Sequence, residues 1–284
     1  MTYFEKGVRR LPAACDYPKK FDFNSPVYDI LKTADIVSLR SNGQFNVDCI
    51  SSPNDDKNYF IDARTVTDST AHRTSSDIQS FANQIVGIRF SGAIVSMKTT
   101  DSLLSKVFQP TLLNYIVDLD LSHIQLSYTS QSILCRAINP IISGYCSIKR
   151  LSLVKTTVGV KGSISIFESL TGNSFIEELF MTGNCFTDAA VPALAKCLSH
   201  RQCYLKVLGI GDNEITAAGM GILAPVFGAH ESLKSLNLNI NPIGDDGTSL
   251  LFSAIRDGEV MKSINLSKCN IKSCKWHSSH TLIL

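Results

Sequence analysis

Seven short stretches of the chain share one alternation of apolar and polar positions. The alternation is clear in LKVLGIGDNEI from Leu205 and LKSLNLNINPI from Leu233, where apolar residues flank a single small or polar residue. A period of two places alternate side chains on the same face of an extended strand. The pattern therefore predicts a series of short strands, each with one buried face.

These stretches recur at nearly constant intervals along the chain. All seven fit L-x-x-L-x-L-x-x-N/C-x-L when other apolar residues are allowed at the leucine positions. The second apolar position falls at Ile88, Leu119, Leu151, Leu179, Leu208, Leu236 and Ile264, so the intervals are 31, 32, 28, 29, 28 and 28 residues. Periods of this length are typical of arrays in which each unit packs only on its neighbours.

A second apolar pattern follows each strand. In AAVPALAKCL from Ala189 and GTSLLFSAI from Gly247, apolar residues recur at steps of three and four, which predicts an amphipathic helix of two to three turns. One such unit is too small to bury its own apolar stripe, so neighbouring units must share a core and pair their strands in parallel. Strands stack at ~4.8 Å and helices at ~8–10 Å, which predicts curvature with the strands inside.

The repeat pattern resembles the leucine-rich repeat superfamily, and its 28–29-residue spacing resembles the ribonuclease-inhibitor-like subclass, over residues 85–271. The resemblance implies an α/β solenoid, a curved horseshoe with a parallel sheet on the concave side and helices on the convex side. We expect residues 1–75 to form an irregular N-terminal cap, possibly with degenerate repeats. Residues 76–271 would form an array of about seven repeats.

The ninth position of the repeat is often polar. A buried amide there can bond the backbone of the turn after each strand, and leaving it unpaired would cost ~1–3 kcal/mol. The first two repeats carry Ala93 and Ile124 instead, so we expect less regular turns there. The residues predicted to form this structural turn ladder are Asn184, Asn213, Asn241 and Cys269.

The C-terminal segment 272–284 departs from the repeat, because no helical stripe follows its strand. Either it covers the edge as an incomplete terminal repeat or irregular tail, or the chain is a shortened product of a longer array. An uncovered edge would favour pairing with another chain. Cys274, His277 and His280 lie here, but their spacing does not match usual zinc fingers, so we expect no metal site.

Composition narrows the possible partners. With 44% hydrophobic residues and a net charge of +2 in 284 residues, the chain is predicted to be globular, with no general attraction to nucleic acid or anionic lipid. No apolar run is long enough for a membrane span or a signal peptide. The nine cysteines are odd in number and scattered, which favours reduced thiols and a cytoplasmic location, in the cytosol or on the cytoskeleton.

Catalytic motifs are not apparent. Gly209 and Gly211 resemble the start of a dinucleotide-binding loop, but the third glycine is missing and both residues belong to a repeat strand. No histidine can be placed beside a nucleophile with the motifs that hydrolases or kinases use. We therefore expect no enzyme activity and no cofactor.

The outward strand positions are the main candidates for function, since they would form the concave floor. We predict a non-enzymatic scaffold that binds a partner protein there; the alternative is that the floor is merely solvated. The predicted partner-binding residues are Phe180, Glu178, Asp120, Asp118, Arg150, Thr182, Asn237 and Asn239. A second hypothesis, by analogy with Ran GTPase-activating proteins of similar repeat length, is a regulator of a small GTPase, with Arg89 and Arg150 as candidate arginines.

Overall fold

The computed structural model describes the backbone of residues 8–10, 35–38, 59–80, 82–143, 146–255, 260–272 and 281–283. The chain divides into two compact units. The first comprises Met1–Ala137 and Tyr145–Ser152, and the second comprises Ile138–Gly144 and Leu153–Leu284.

Among the described residues, the first unit contains six neighbouring strands. Strand β1 is antiparallel to β2, and each later strand is parallel to its predecessor. The strands are β1 Val8–Arg10, β2 Asp35–Ser38, β3 Tyr59–Asp62, β4 Ile85–Arg89, β5 Asp118–Asp120 and β6 Arg150–Ser152. The helices are α1 Ala71–Ser80, α2 Met97–Val107, α3 Pro110–Leu113 and α4 Tyr128–Ile138, with a 3-10 turn at Ala82–Gln84. Ile138, the last residue of α4, belongs to the second unit.

The second unit alternates parallel strands with helices. Each strand from β8 onward pairs in parallel with the one before it. The strands are β7 Glu178–Phe180, β8 Val207–Gly209, β9 Ser235–Asn237, β10 Ser263–Asn265 and β11 Thr281–Ile283. The helices are α5 Pro140–Ser143, α6 Gly159–Leu170, α7 Thr187–Leu198, α8 Ala217–Ala229 and α9 Gly244–Ala254.

The core of the second unit is a row of leucine-type side chains contributed by successive strands. Leu179, Leu208, Leu236 and Ile264 are paired in register, and all four are buried. Helices α7, α8 and α9 bury their own apolar residues behind them. The predicted alternation of parallel strands with amphipathic helices is therefore confirmed. The curvature expected from the two packing distances stays a prediction.

In several repeats an aspartate bonds the backbone at the start of the next repeat's helix or turn. Asp68 accepts a hydrogen bond from the Ser96 amide at 2.7 Å, just before α2. Asp188 accepts one from the Thr216 amide at 2.9 Å, and the Thr216 hydroxyl caps α8. A carboxylate beside the N-terminus of a helix satisfies an otherwise unpaired amide and is stabilised by the helix dipole. The repeat spacing thus has a second, polar component besides the leucines.

The ninth-position residues form a continuous hydrogen-bond ladder in the second unit. The side-chain oxygen of each asparagine accepts from the backbone amide of the preceding ninth residue: Thr156 to Asn184 at 3.0 Å, Asn184 to Asn213 at 2.9 Å, and Asn213 to Asn241 at 3.0 Å. Each amide group also donates to carbonyls of its own and the preceding turn. The Cys269 thiol donates to the Leu238 carbonyl at 3.2 Å, as the last rung.

The corresponding turns of the first unit are built differently. Ala93 and Ile124 are buried apolar residues, so their side chains cannot bond the backbone. The turns close through main-chain bonds instead, from Ala93 to Phe90 at 2.8 Å and from Ile124 to Leu121 at 3.3 Å. A ladder of side-chain amides is thus a property of the 28–29-residue repeats.

The C-terminal strand bears on the two alternatives that the sequence leaves open for this segment. The edge of β10 is covered rather than open to another chain, because β11 pairs with it in parallel, with Ile264 opposite Leu282. The backbone donors and acceptors on that side of β10 therefore already have partners within the chain. The cluster of Cys274, His277 and His280 lies outside the described residues.

Removal of one rung should measure the strength of the ladder. Asn213→Ala deletes an acceptor for the Asn184 amide and donors to the Met181 and Ile210 carbonyls, all buried. We expect a loss of ~2–4 kcal/mol in the free energy of unfolding, measured with urea. Asn114→Ala, at an exposed asparagine, is the matched control and should change it by less than ~0.5 kcal/mol. Equal losses in the two variants would contradict a structural role for the ladder.

Candidate functional site

Ion pairs join adjacent strands on the outward face of the first unit. Here, outward means the side of a strand opposite the leucine row. Arg150 on β6 lies 3.0 Å from the Asp118 carboxylate on β5, and the two side chains are 2% and 3% exposed. Arg89 Nε on β4 lies 3.5 Å from the Asp120 carboxylate, and both are mostly buried. Unlike charges on adjacent strands therefore satisfy one another across the sheet.

Burial dominates the electrostatics of this face. It raises the pKa of the Asp118 carboxyl, and the positive charge of Arg150 offsets that effect only in part. Asp62 lies closer to solvent. Burial raises its pKa as well, but hydrogen bonds from Arg64 and the charges of Arg64 and Arg89 outweigh it, so the pKa of Asp62 is lowered.

Phe60 helps to close the same face. Its ring covers Gly87 of the next strand, where an added Cβ would lie only 2.5 Å from a ring carbon. The guanidinium of Arg89 lies 5.4 Å from the ring centroid, in a cation–π contact. Side chains of adjacent strands, only ~4.8 Å apart, therefore cover one another on this face.

The sequence predicted that Asp118, Asp120 and Arg150 would be exposed, and the structure corrects this. All three are buried. The physical reason is that each charge lies opposite one of unlike sign on the adjacent strand, so the side chains lie along the sheet. Arg150 and Arg89 are held in these pairs rather than projecting from the surface.

Glu178 requires the same correction in the second unit. It is 1% exposed, and Ser235 and Ser263 in the same row of paired residues are also buried, whereas Val207, which lies between Glu178 and Ser235, is half-buried. This row precedes the second apolar position of each repeat, and apart from Val207 its members are buried. Neighbouring strands flank it on either side, so outward direction alone does not make a residue accessible.

The row that follows the leucines is more accessible in the second unit. Phe180, Thr182, Asn237 and Asn239 are half-buried. Phe180 packs beside Gly209, where an added Cβ would lie 3.0 Å from a ring carbon. These four residues are called the Phe180 surface below.

Two glycines explain the shape of the Phe180 surface: Gly209, the last residue of β8, and Gly211, two residues further along the chain. An added Cβ at Gly211 would lie 1.8 Å from the side-chain oxygen of Asn239, so that side chain occupies the space a larger residue would need. The side-chain oxygen of Asn237 accepts a bond from the backbone amide of Asn239 at 3.1 Å, which restrains the Asn237 side chain. The sequence treated Gly209 and Gly211 only as members of a repeat strand and missed this role.

The chemistry of the Phe180 surface is that of recognition. It combines a half-exposed aromatic ring with neutral amide and hydroxyl groups. Aromatic side chains bring a large contact area at little entropic cost, and amides supply directional hydrogen bonds. Such a surface fits a protein or peptide better than a strongly charged ligand.

Comparisons with known proteins agree with the repeat architecture. The family model described as "Leucine Rich repeat" matches residues 229–252, which include the end of α8 and all of β9. NACHT, LRR and PYD domains-containing protein 3 of Macaca mulatta is 27% identical over 59% of this chain and 16% of its own length. NACHT, LRR and PYD domains-containing protein 5 of Homo sapiens is 28% identical over 56% and 13%. Ribonuclease inhibitor of Mus musculus is 27% identical over 57% and 36%.

The chain contains a leucine-rich repeat and is similar to proteins of the ribonuclease-inhibitor-like kind. Its matches span about a sixth of the NACHT, LRR and PYD relatives and about a third of the mouse ribonuclease inhibitor. In the described part of this leucine-rich repeat chain, none of the helices is both long and apolar enough to cross a bilayer.

The contributions of Asp118 and Arg150 to the free energy of unfolding should depend strongly on each other, because the pair is buried. Asp118→Ala leaves the Arg150 charge buried beside an apolar group, so we expect a loss of ~3–5 kcal/mol in the free energy of unfolding. Replacing both residues, as Asp118→Leu with Arg150→Met, should recover most of that loss because neither charge is then buried.

The matched control is the Glu177–Lys206 pair. Its charged groups are 2.7 Å apart, close to the 3.0 Å between Asp118 and Arg150, but Lys206 is 30% exposed. A double-mutant cycle there should give less than ~1 kcal/mol of coupling. Similar coupling energies for the two pairs would show that burial of Asp118 and Arg150 has no energetic effect.

Proposed function

We propose that this protein is a non-enzymatic interaction module that binds a partner protein through the Phe180 surface. The observation that carries the proposal is the half-exposed Phe180 ring beside Gly209, on the outward face of a rigid parallel sheet. Leu179 and Met181, its neighbours in sequence, are buried on the other face and fix its position. A binding aromatic is most effective when its own conformation is already restricted.

The neighbouring groups support protein recognition in particular. Thr182, Asn237 and Asn239 supply hydroxyl and amide groups on the same outward face, the kind of polar groups that accompany an aromatic anchor. The mouse ribonuclease inhibitor, one of the relatives, has a name that records a protein target. By extension we propose a protein ligand here, bound without a cofactor and without nucleic acid or membrane, in the cytoplasm.

The GTPase hypothesis receives no comparable support. It depended on Arg89 and Arg150 being exposed. Both are instead engaged with aspartates on adjacent strands, and Arg150 is almost fully buried. An arginine that acts on a bound nucleotide must reach it, and these side chains would first have to break their ion pairs.

Truncation of the aromatic ring tests the proposal directly. A photo-crosslinking amino acid at position 180 in the native cell should capture one protein reproducibly. Phe180→Ala should weaken binding of that purified protein by more than about 30-fold, the effect of losing a hot spot of ~2 kcal/mol. Calorimetry on the purified pair would measure it.

The control variant is Tyr128→Ala, since Tyr128 is 87% exposed and lies on α4 of the first unit. It should leave binding within about twofold. Unchanged binding by a folded Phe180→Ala variant would reject this surface. Failure of crosslinkers at positions 180, 237 and 239 to capture any protein would reject the function.

A further inference from the structure

Two cysteines meet at the C-terminal end of α7. Cys197 lies in the last turn, and Cys203 follows six residues later. Main-chain bonds wind the segment between them, from His200 to Cys197 at 3.2 Å and from Cys203 to His200 at 2.8 Å. The pKa of each thiol is shifted by an interaction with the other, which places the two side chains together. Cys197 is buried and Cys203 is half-buried, so a reagent from solvent reaches Cys203 first.

His230 completes this cluster from the next repeat. It is only 9% exposed, and its Nδ1 accepts a bond from the Ser232 amide at 3.3 Å. A neutral imidazole that accepts at Nδ1 carries its proton on Nε2. Nε2 is buried and has no hydrogen-bond partner among the described residues. His230 influences the Cys203 thiol, so a thiolate at Cys203 could accept the hydrogen bond that this N–H lacks.

A cavity of about 290 Å³ opens onto these groups. Cys203 and His230 both line it, together with the charged or titratable side chains of His200, Arg201 and Glu231. The remaining lining comes mainly from apolar residues of α7 and α8. The cavity is large enough for a small neutral molecule, and it presents the Cys203 sulfur beside a buried donor.

We propose that Cys203 is a site of oxidative modification by small hydroperoxides, with Cys197 as its resolving partner. The Cys203 thiolate attacks one peroxide oxygen, the O–O bond breaks, and Cys203 becomes a sulfenic acid while hydroxide leaves. The Cys197 sulfur then attacks the oxidised sulfur, and the S–O bond breaks as the disulfide forms. With hydrogen peroxide, the released hydroxide takes up the proton that Cys203 lost on ionisation, and the hydroxyl of the sulfenic acid leaves with the Cys197 proton. Two thiols and one hydrogen peroxide thus give one disulfide and two waters.

Electrostatics support the order of these steps. The hydrogen bond from the Cys197 thiol, reinforced by His230 and the Leu205 backbone, lowers the pKa of Cys203 to about 5. The same interaction, together with burial, raises the pKa of Cys197. Cys203 is therefore the thiolate at neutral pH and Cys197 is the proton donor. The thiolate is the nucleophilic form of cysteine, so attack begins at Cys203.

Labelling of the full wild-type chain gives the first test. Cys185 is the matched control, because it is an exposed thiol elsewhere in the same unit. At pH 6 a limiting amount of iodoacetamide should modify Cys203 about tenfold faster than Cys185. The larger thiolate fraction of Cys203 outweighs the lower nucleophilicity that accompanies a low pKa. Peptide mass spectrometry would give both rates, and equal or slower labelling of Cys203 would overturn the assignment.

Oxidation with hydrogen peroxide gives the second test. The wild type should form a Cys197–Cys203 disulfide that dithiothreitol reverses. Cys197→Ser should stop at the sulfenic acid, which dimedone traps on Cys203, and Cys203→Ser should give neither product. Absence of the disulfide in oxidised wild type, or disulfides that pair these cysteines with others at random, would overturn the proposal without reliance on any variant.

A pair of substitutions tests the role of His230 as a positioning residue. His230→Asn keeps an acceptor near the Ser232 amide but lacks a donor at Nε2, and it should slow labelling of Cys203 at pH 6 several-fold. His230→Gln restores a donor near Nε2 and should recover most of the rate. If both folded variants label Cys203 at the wild-type rate, His230 has no role in the site. These outcomes do not depend on the Phe180 surface or its partner.

Discussion

Leu208 is fully buried because Leu179 and Leu236 lie in register on either side of it and the helices cover the row from behind. No single repeat of about 28 residues buries such a side chain by itself. The requirement that each leucine meet its counterparts fixes the strand register. Since a shift of one residue would turn every side chain to the opposite face, it also fixes which residues point outward. The apolar row therefore determines which polar and charged side chains lie on the outward face of the sheet.

The turns add a polar constraint with the same period. Asn184, Asn213 and Asn241 each bond the turn before and the turn that contains them, so the amide ladder follows the same register as the leucines. Backbone strain accompanies this arrangement: residues on either side of the ninth position adopt positive φ, including the β-branched Ile240 at 58°. Such a conformation costs of order 1–3 kcal/mol, and the buried amide bonds offset it.

The strands, helices and ladder residues of the second unit could be predicted because they depend on local patterns that repeat. Burial of Arg150 and Asp118 could not be predicted in this way. These residues are 32 positions apart, and only their adjacency on paired strands shows that each neutralises the other. Likewise, the role of Gly209 and Gly211 becomes clear only in the structure, where Phe180 and Asn239 occupy the space that a side chain at each glycine would need. The meeting of Cys203 with His230 also depends on contact between successive repeats rather than on a motif.

The two outward rows therefore have different physical roles. The row before the second apolar position is mostly buried, so a charge there requires a partner on a neighbouring strand, as Asp118 has in Arg150. The row after it is half-exposed in the second unit, so Phe180 and Asn237 are less constrained by the sheet. A repeat protein of this kind can vary its recognition at the second row while the first preserves its stability. Residues two positions apart on one strand, such as Glu178 and Phe180, consequently belong to the fold and to the binding surface respectively.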